Sequence, residues 1–122
     1  MDAAVEVALQ QDKVIDITTT GRKSGEPKRI EIWFHRIEGR YFITGRPGPR
    51  SWYANLMANP AFTFHLKESH QVELAASARA ILEAGERRTI LAPLVEGVGD
   101  GPPLDDWLSG APLVEVTFDA EQ

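Results

Sequence analysis

Between Val14 and Arg36 two stretches of alternating apolar and polar residues flank a turn carrying Gly21, Gly25 and a closing Pro27. In the first, Ile15 and Ile17 point one way and Asp16 and Thr18 the other, with more threonine following. In the second, Ile30, Ile32 and Phe34 oppose Glu31, Trp33 and His35. A period of two with β-branched residues specifies strands, and the glycine-bearing segment folds the second back on the first. This hairpin commits the chain to antiparallel β structure.

The pattern continues. Glu38–Gly39 reads as a tight turn, with a returning strand over 40–45. Arg46–Pro47–Gly48–Pro49–Arg50 holds two prolines and a glycine and is irregular. Ser51 is the expected N-cap of a short helix over 52–58 that Asn59–Pro60 ends. A strand follows over 61–67, then an alanine-rich alternating strand over 71–82. A helix spans about 83–95, with Pro93 expected to bend or end it. A loop over 97–103, a helical turn over 104–108 and a last strand over 112–118 complete the chain. No element is assigned to 1–12. The expected fold is mainly β with short helices (α+β), a closed or nearly closed antiparallel barrel.

A chain of 122 residues, 43% hydrophobic and 25% charged, suits a single globular domain over residues 1–122. It contains no cysteine, which excludes disulfides, thiolate nucleophiles and cysteine zinc sites. The N-terminus lacks the basic head and apolar core of a signal peptide, and no stretch reaches the length of a membrane span. A cytoplasmic protein is expected. His35, His65 and His70 lack the spacing of a metal pair, and no G-x-S-x-G elbow supports serine hydrolysis. Asp105 and Asp106 sit where a helix start favours acids.

Charge is unevenly distributed. The net charge is −5, yet residues 21–50 hold eight basic side chains (Arg22, Lys23, Lys28, Arg29, Arg36, Arg40, Arg46 and Arg50) against three acids. A cationic segment in an acidic protein attracts a small polyanion and disfavours a long one, so no nucleic-acid partner is expected. Taken singly, each of these charges is also what a solvated strand edge carries.

Two segments bear chemistry. The turn Thr20–Gly21–Arg22–Lys23–Ser24–Gly25 offers backbone N–H groups, a charge and a hydroxyl to a phosphate or carboxylate. The segment from Gly45 to Asn55 sets Arg46 and Arg50 before a helix N-terminus, where the dipole favours negative charge. Trp52 and Tyr53 follow, placed either to hold a flat ring or to pack the helix, whereas Leu56 and Met57 read as packing.

The run from Ile17 to Arg29 with the strand through Trp33–Phe34, and the run from Gly45 to Pro60 with Pro49–Arg50, Trp52–Tyr53, Asn55–Leu56 and Ala58–Asn59–Pro60, resemble the deazaflavin-dependent nitroreductase family. The resemblance covers about Val14 to Lys67. It implies a split β-barrel of the FMN-binding, flavin-reductase type, with coenzyme F-420 as cofactor and FMN as the alternative. It also implies a cofactor groove formed by Arg22, Lys23, Ser24, Trp33, Thr44, Arg46, Pro49, Arg50, Trp52, Tyr53 and Asn55. The reaction implied is hydride transfer from the reduced deazaflavin to an electron-poor small molecule such as a quinone, an enone or a nitro compound. A homodimer is the expected assembly, and a non-catalytic cofactor-binding protein is the competing class. No catalytic residue is assigned: both tyrosines, Tyr41 and Tyr53, precede the C-terminal third.

Overall fold

The computed structural model describes residues 1–119. Six strands and four helices follow in the order α1 (Ala3–Gln11), β1 (Val14–Thr20), β2 (Pro27–Ile37), β3 (Arg40–Thr44), α2 (Ser51–Ala58), β4 (Ala61–Leu66), β5 (Val72–Ala80), α3 (Ala84–Val98), α4 (Leu104–Gly110) and β6 (Leu113–Phe118). The strands form a closed antiparallel barrel, β1-β2-β3-β6-β5-β4, in which β4 returns to β1. The expected barrel is present, with each strand within two residues of its predicted ends.

Alternation explains the core. Ile15, Ile17, Phe34, Ile43, Phe62, Phe64, Leu74, Ala76, Val114 and Val116 belong to one buried cluster, joined by Val5, Ala8 and Leu9 of α1 and by Trp52 and Leu56 of α2. Phe34 and Phe64 meet edge to face at 5.2 Å, as do Phe64 and Phe118 at 5.0 Å, geometries that ring quadrupoles favour. Phe42 and Leu113, the neighbours of Ile43 and Val114, face outward into a second cluster with Ile81, Ile90, Leu91 and Trp107. Helices α3 and α4 therefore bury the outer face of β3 and β6.

Helix α1 is a difference from the sequence reading, which assigned nothing there. Asp2 caps it by accepting the Ala4 N–H at 2.7 Å, and Val5, Ala8 and Leu9 carry the i, i+3, i+4 spacing of a buried stripe. The small alanines and the single acid Glu6 concealed that stripe. Pro93 is a second difference: α3 continues through it to Val98 and ends at Gly99, whose φ of +80° is the left-handed stop. The missing backbone bond is outweighed because Ile90, Leu91, Leu94 and Val95 all pack on the second cluster.

The third difference is the start of α2. Ser51 is its first helical residue and not its cap. The cap position falls to Arg50, whose backbone is extended (φ −138°, ψ 137°) and whose side chain makes no cap bond. The Arg50 guanidinium instead donates to the carbonyls of Pro49 (2.9 Å) and Arg46 (3.1 Å), closing the Pro/Gly loop on itself.

Candidate functional site

The turn between β1 and β2 is tightly closed. The Gly21 N–H donates to Glu26 O at 2.8 Å and the Gly25 N–H to Gly21 O at 2.9 Å. Gly25 sits at φ +72°, which favours glycine, and a side chain at Gly21 would displace the Ser24 hydroxyl. The Ser24 hydroxyl accepts the Glu26 N–H at 3.1 Å. Asn55, buried on α2, accepts the Arg22 N–H at 3.0 Å and donates to the Thr19 hydroxyl at 3.1 Å. The basic turn is thereby fastened to the first two turns of α2.

Between them lies a groove of about 450 Å³ lined by Arg22, Lys23, Ser24, Lys28 and Ile30 on the hairpin side and by Ser51, Trp52 and Asn55 on the helix side. Arg22, Lys23 and Lys28 make no side-chain ion pair among the described residues, and no side chain caps the helix start beside them. A larger cavity of about 690 Å³ lies against the same helix start, lined by Pro49, Arg50 and Tyr53 together with Leu82, Leu108 and Pro112. Ser51 and Trp52 thus face one cavity and Arg50 and Tyr53 the other.

The structure brings eight of the eleven expected site residues to these two cavities. Three lie elsewhere. Trp33, 55% exposed, lines a separate groove with Lys13, His35, Leu94 and Val98. Thr44 donates its hydroxyl to Pro112 O at 2.5 Å, tying β3 to the approach of β6. Arg46 turns toward the α3–α4 loop, 3.9 Å from Asp100 and against Gly101.

The basic segment does not survive folding as one patch, which corrects the sequence reading. Arg29 pairs with Asp16 at 2.9 Å, and Arg40 with Glu115 at 2.8 Å and Glu86 at 3.2 Å. These arginines stitch the outer faces of strands together. Strand neighbours point to opposite faces, so a charge run in sequence is divided in space.

Sequence reasoning missed Arg87. It is buried and donates to the carbonyls of Ile81 (2.8 Å), Leu108 (2.9 Å), Trp107 (3.1 Å) and Ala111 (2.7 Å). It supports the wall of the larger cavity by holding both ends of the α3–α4 layer. No pattern in a helix such as GERRT distinguishes the buried arginine from the exposed Arg88 beside it.

His65 is equally concealed: it is buried on β4, its Nε2 2.7 Å from the Thr18 hydroxyl, and burial pushes its pKa below the ordinary value. His35, half-buried opposite Phe42, is lowered by burial too. Among the described residues no set of three His, Asp or Glu side chains gathers to hold a metal ion.

A barrel of this strand order, with a cation-lined groove where a strand parts from its neighbour, places the chain in the split-barrel class of flavin- and deazaflavin-binding proteins. Residues 1–98 match the F420H(2)-dependent quinone reductase family, and the chain belongs to that family. It is a deazaflavin-dependent reductase, and its cofactor is coenzyme F-420.

Among solved structures it is similar to an F420-H2 dependent reductase, FDR-A, at 25% identity and TM-score 0.62, over 86% of this chain and 94% of that one. A protein described as a domain-swapped dimer is also 25% identical, with TM-score 0.61, over 86% of this chain and 80% of that one. A Clostridium acetobutylicum protein of the pyridoxinephosphate oxidase family shares the fold at 11% identity and TM-score 0.66, over 93% and 80% of the two chains.

Proposed function

We propose that this protein reduces an electron-poor small molecule, a quinone, an activated alkene or a nitro compound, from a cofactor site that straddles the start of α2. Arg22, Lys23, Ser24 and Lys28 hold the anionic phosphate and glutamate tail in the smaller groove, where the uncapped helix start adds its partial positive charge. Pro49, Arg50 and Tyr53 hold the flat ring end in the larger cavity, and Trp52 lines the smaller groove beside the tail. Asn55 positions the turn, while Thr44 and Arg46 brace the Pro/Gly loop from behind. The bound coenzyme supplies the hydride, and the protein supplies position, charge and shelter from water.

The observation that carries this reading is the convergence of three cations without carboxylate partners on one groove of a protein whose net charge is −5. The donor set fits the group: cations and a hydroxyl for the tail, aromatic and proline side chains for the ring. The apolar lining of the larger cavity (Leu82, Leu108, Pro112) suits an uncharged acceptor. The whole chain works as one cofactor-binding unit. No helix among the described residues is long and apolar enough to cross a membrane, and we place the enzyme in the cytoplasm. A homodimer is the proposed assembly, supported by the 25% identical relative described as a domain-swapped dimer.

Titration with reduced coenzyme F-420 and with FMN, followed by turnover on quinones, enones and nitroaromatics, tests the reading. Tight deazaflavin binding with turnover of at least one acceptor class is expected. Tight FMN binding without deazaflavin binding overturns the cofactor site, and binding without turnover of any acceptor makes the protein a carrier.

A further inference from the structure

β2 runs for eleven residues and β3 for five. The ladder between them covers Phe34 to Ile37 only, whereas β1 pairs with β2 from Pro27 to Trp33. The edge of β2 that faces away from β1 over these residues has no strand beside it among the described residues, and Pro27 to Glu31 are all exposed. Bare edges are templates for a further strand and are ordinarily kept short or blunted. This one carries Ile30 and Trp33, 37% and 55% exposed.

The Phe34 N–H points toward β1, where it donates to Lys13 O at 3.0 Å. By the two-residue period, Arg29, Glu31 and Trp33 turn their main-chain groups to the open edge. The outer-face ion pairs of Arg29 with Asp16 and of Glu31 with Lys67 fix those two side chains on one face.

We propose that this open edge pairs antiparallel with the same edge of a second copy of the chain, centred on Ile30. Arg29 then lies across from the partner's Glu31, and Glu31 across from the partner's Arg29, each pair exchanging both main-chain hydrogen bonds. Ile30 meets the partner's Ile30 on the two-fold axis, and Trp33 falls over the partner's Pro27. Pro27 has no N–H and ends the ladder.

Charge selects this register. A shift by two residues sets Arg29 against the partner's Arg29 in one direction, or Glu31 against the partner's Glu31 in the other, and like charges directly opposed are destabilising. A shift by one puts the bonding groups out of step. Lys28 and Ile30 line the cofactor groove, so the pairing brings the two grooves of the dimer together. The inference shares only the homodimer with the proposed function.

Sedimentation of the full chain and two charge reversals tests it. The wild type is expected to be a dimer, and Arg29→Glu and Glu31→Arg each a monomer. An equimolar mixture of the two variants is expected to regain the dimer mass, because every cross-strand position again opposes unlike charges. A monomeric wild type overturns both this surface and the homodimer. A wild-type dimer that persists in both variants overturns the surface alone, as does a mixture that stays monomeric.

Should either reversal fail to fold, the absence of cysteine in this chain provides a second measurement. Ile30→Cys sits on the axis, where facing Cα atoms are about 4.5 Å apart, and is expected to form a disulfide-linked dimer under mild oxidation. Ile32→Cys, which faces the partner's Lys28, is expected not to. Equal cross-linking at both positions, or none at either, overturns the proposal.

Discussion

Asn55 accepts the main-chain N–H of Arg22 at 3.0 Å while its amide nitrogen reaches the Thr19 hydroxyl at 3.1 Å, so one buried amide sets the distance between the basic turn and α2. Asn55→Ala removes both bonds and is expected to cost about 2 kcal/mol of stability by denaturant unfolding. Its effect on deazaflavin affinity should exceed that of any surface variant, because the turn loses its anchor. Asn55→Asp keeps an acceptor for Arg22 and adds a negative charge to the groove. It should bind the coenzyme more weakly than Asn55→Ala despite the smaller side-chain loss.

The three free cations make separable contributions. Arg22→Ala, Lys23→Ala and Lys28→Ala are each expected to weaken coenzyme binding about tenfold, roughly 1.4 kcal/mol. Rising salt should weaken the wild type and have little effect on the triple variant. Titration calorimetry at two ionic strengths checks both. Arg50→Ala should behave differently: its guanidinium is committed to Pro49 O and Arg46 O, so loop order is lost along with affinity.

Arg87→Met is expected to destabilise the protein by about 3 kcal/mol, because four carbonyls lose its hydrogen bonds and Trp107 O keeps only the Ala111 N–H. Arg88→Met, on the exposed neighbour, should be close to neutral. Thermal unfolding of the pair separates them.

Acid stability follows from carboxylates held below their ordinary range. Hydrogen bonds from Arg40 and then Arg79 lower Glu115 from 4.5 to about 2, and Glu86 is lowered by Arg79 and Arg40. Asp16 is lowered chiefly by Lys67. The unfolded chain binds protons first, so this stabilisation is present above about pH 4.5 and is lost as pH falls toward 2. Burial keeps His35 and His65 below 6.5, so their contribution starts to fade once pH drops under that value. Glu115→Gln should lower the upper part of a stability–pH curve, above about pH 4.5, and so flatten its lower limb.

The β1–β2 hairpin and its turn were legible because alternation and glycine placement are local signals that tertiary packing here reinforces. Asn55 was named through resemblance, but its bridging role depends on Thr19 and Arg22, far away in sequence, and on the angle at which α2 meets the hairpin. Arg87 looked like any helical arginine, since its partners are main-chain carbonyls that only the folded α3–α4 layer assembles. The basic run was read as one patch because sequence order hides which face of a strand each residue occupies. Arg29 and Arg40, counted in that run though not among the expected groove residues, turn to carboxylates on neighbouring strands for that reason. The two-sided burial of β3 and β6 was equally hidden, because it depends on helices that follow later in the chain.

That double burial divides the molecule by tempo. With Ile43 and Val114 facing one apolar cluster and Phe42 and Leu113 the other, the amides of β3 and β6 can meet deuterium only when the whole structure opens. The turn at Gly21–Gly25 lies outside that spine, tied to it through Asn55, and its amides are expected to exchange sooner. Capture of a ligand's tail at the turn therefore leaves the spine shut.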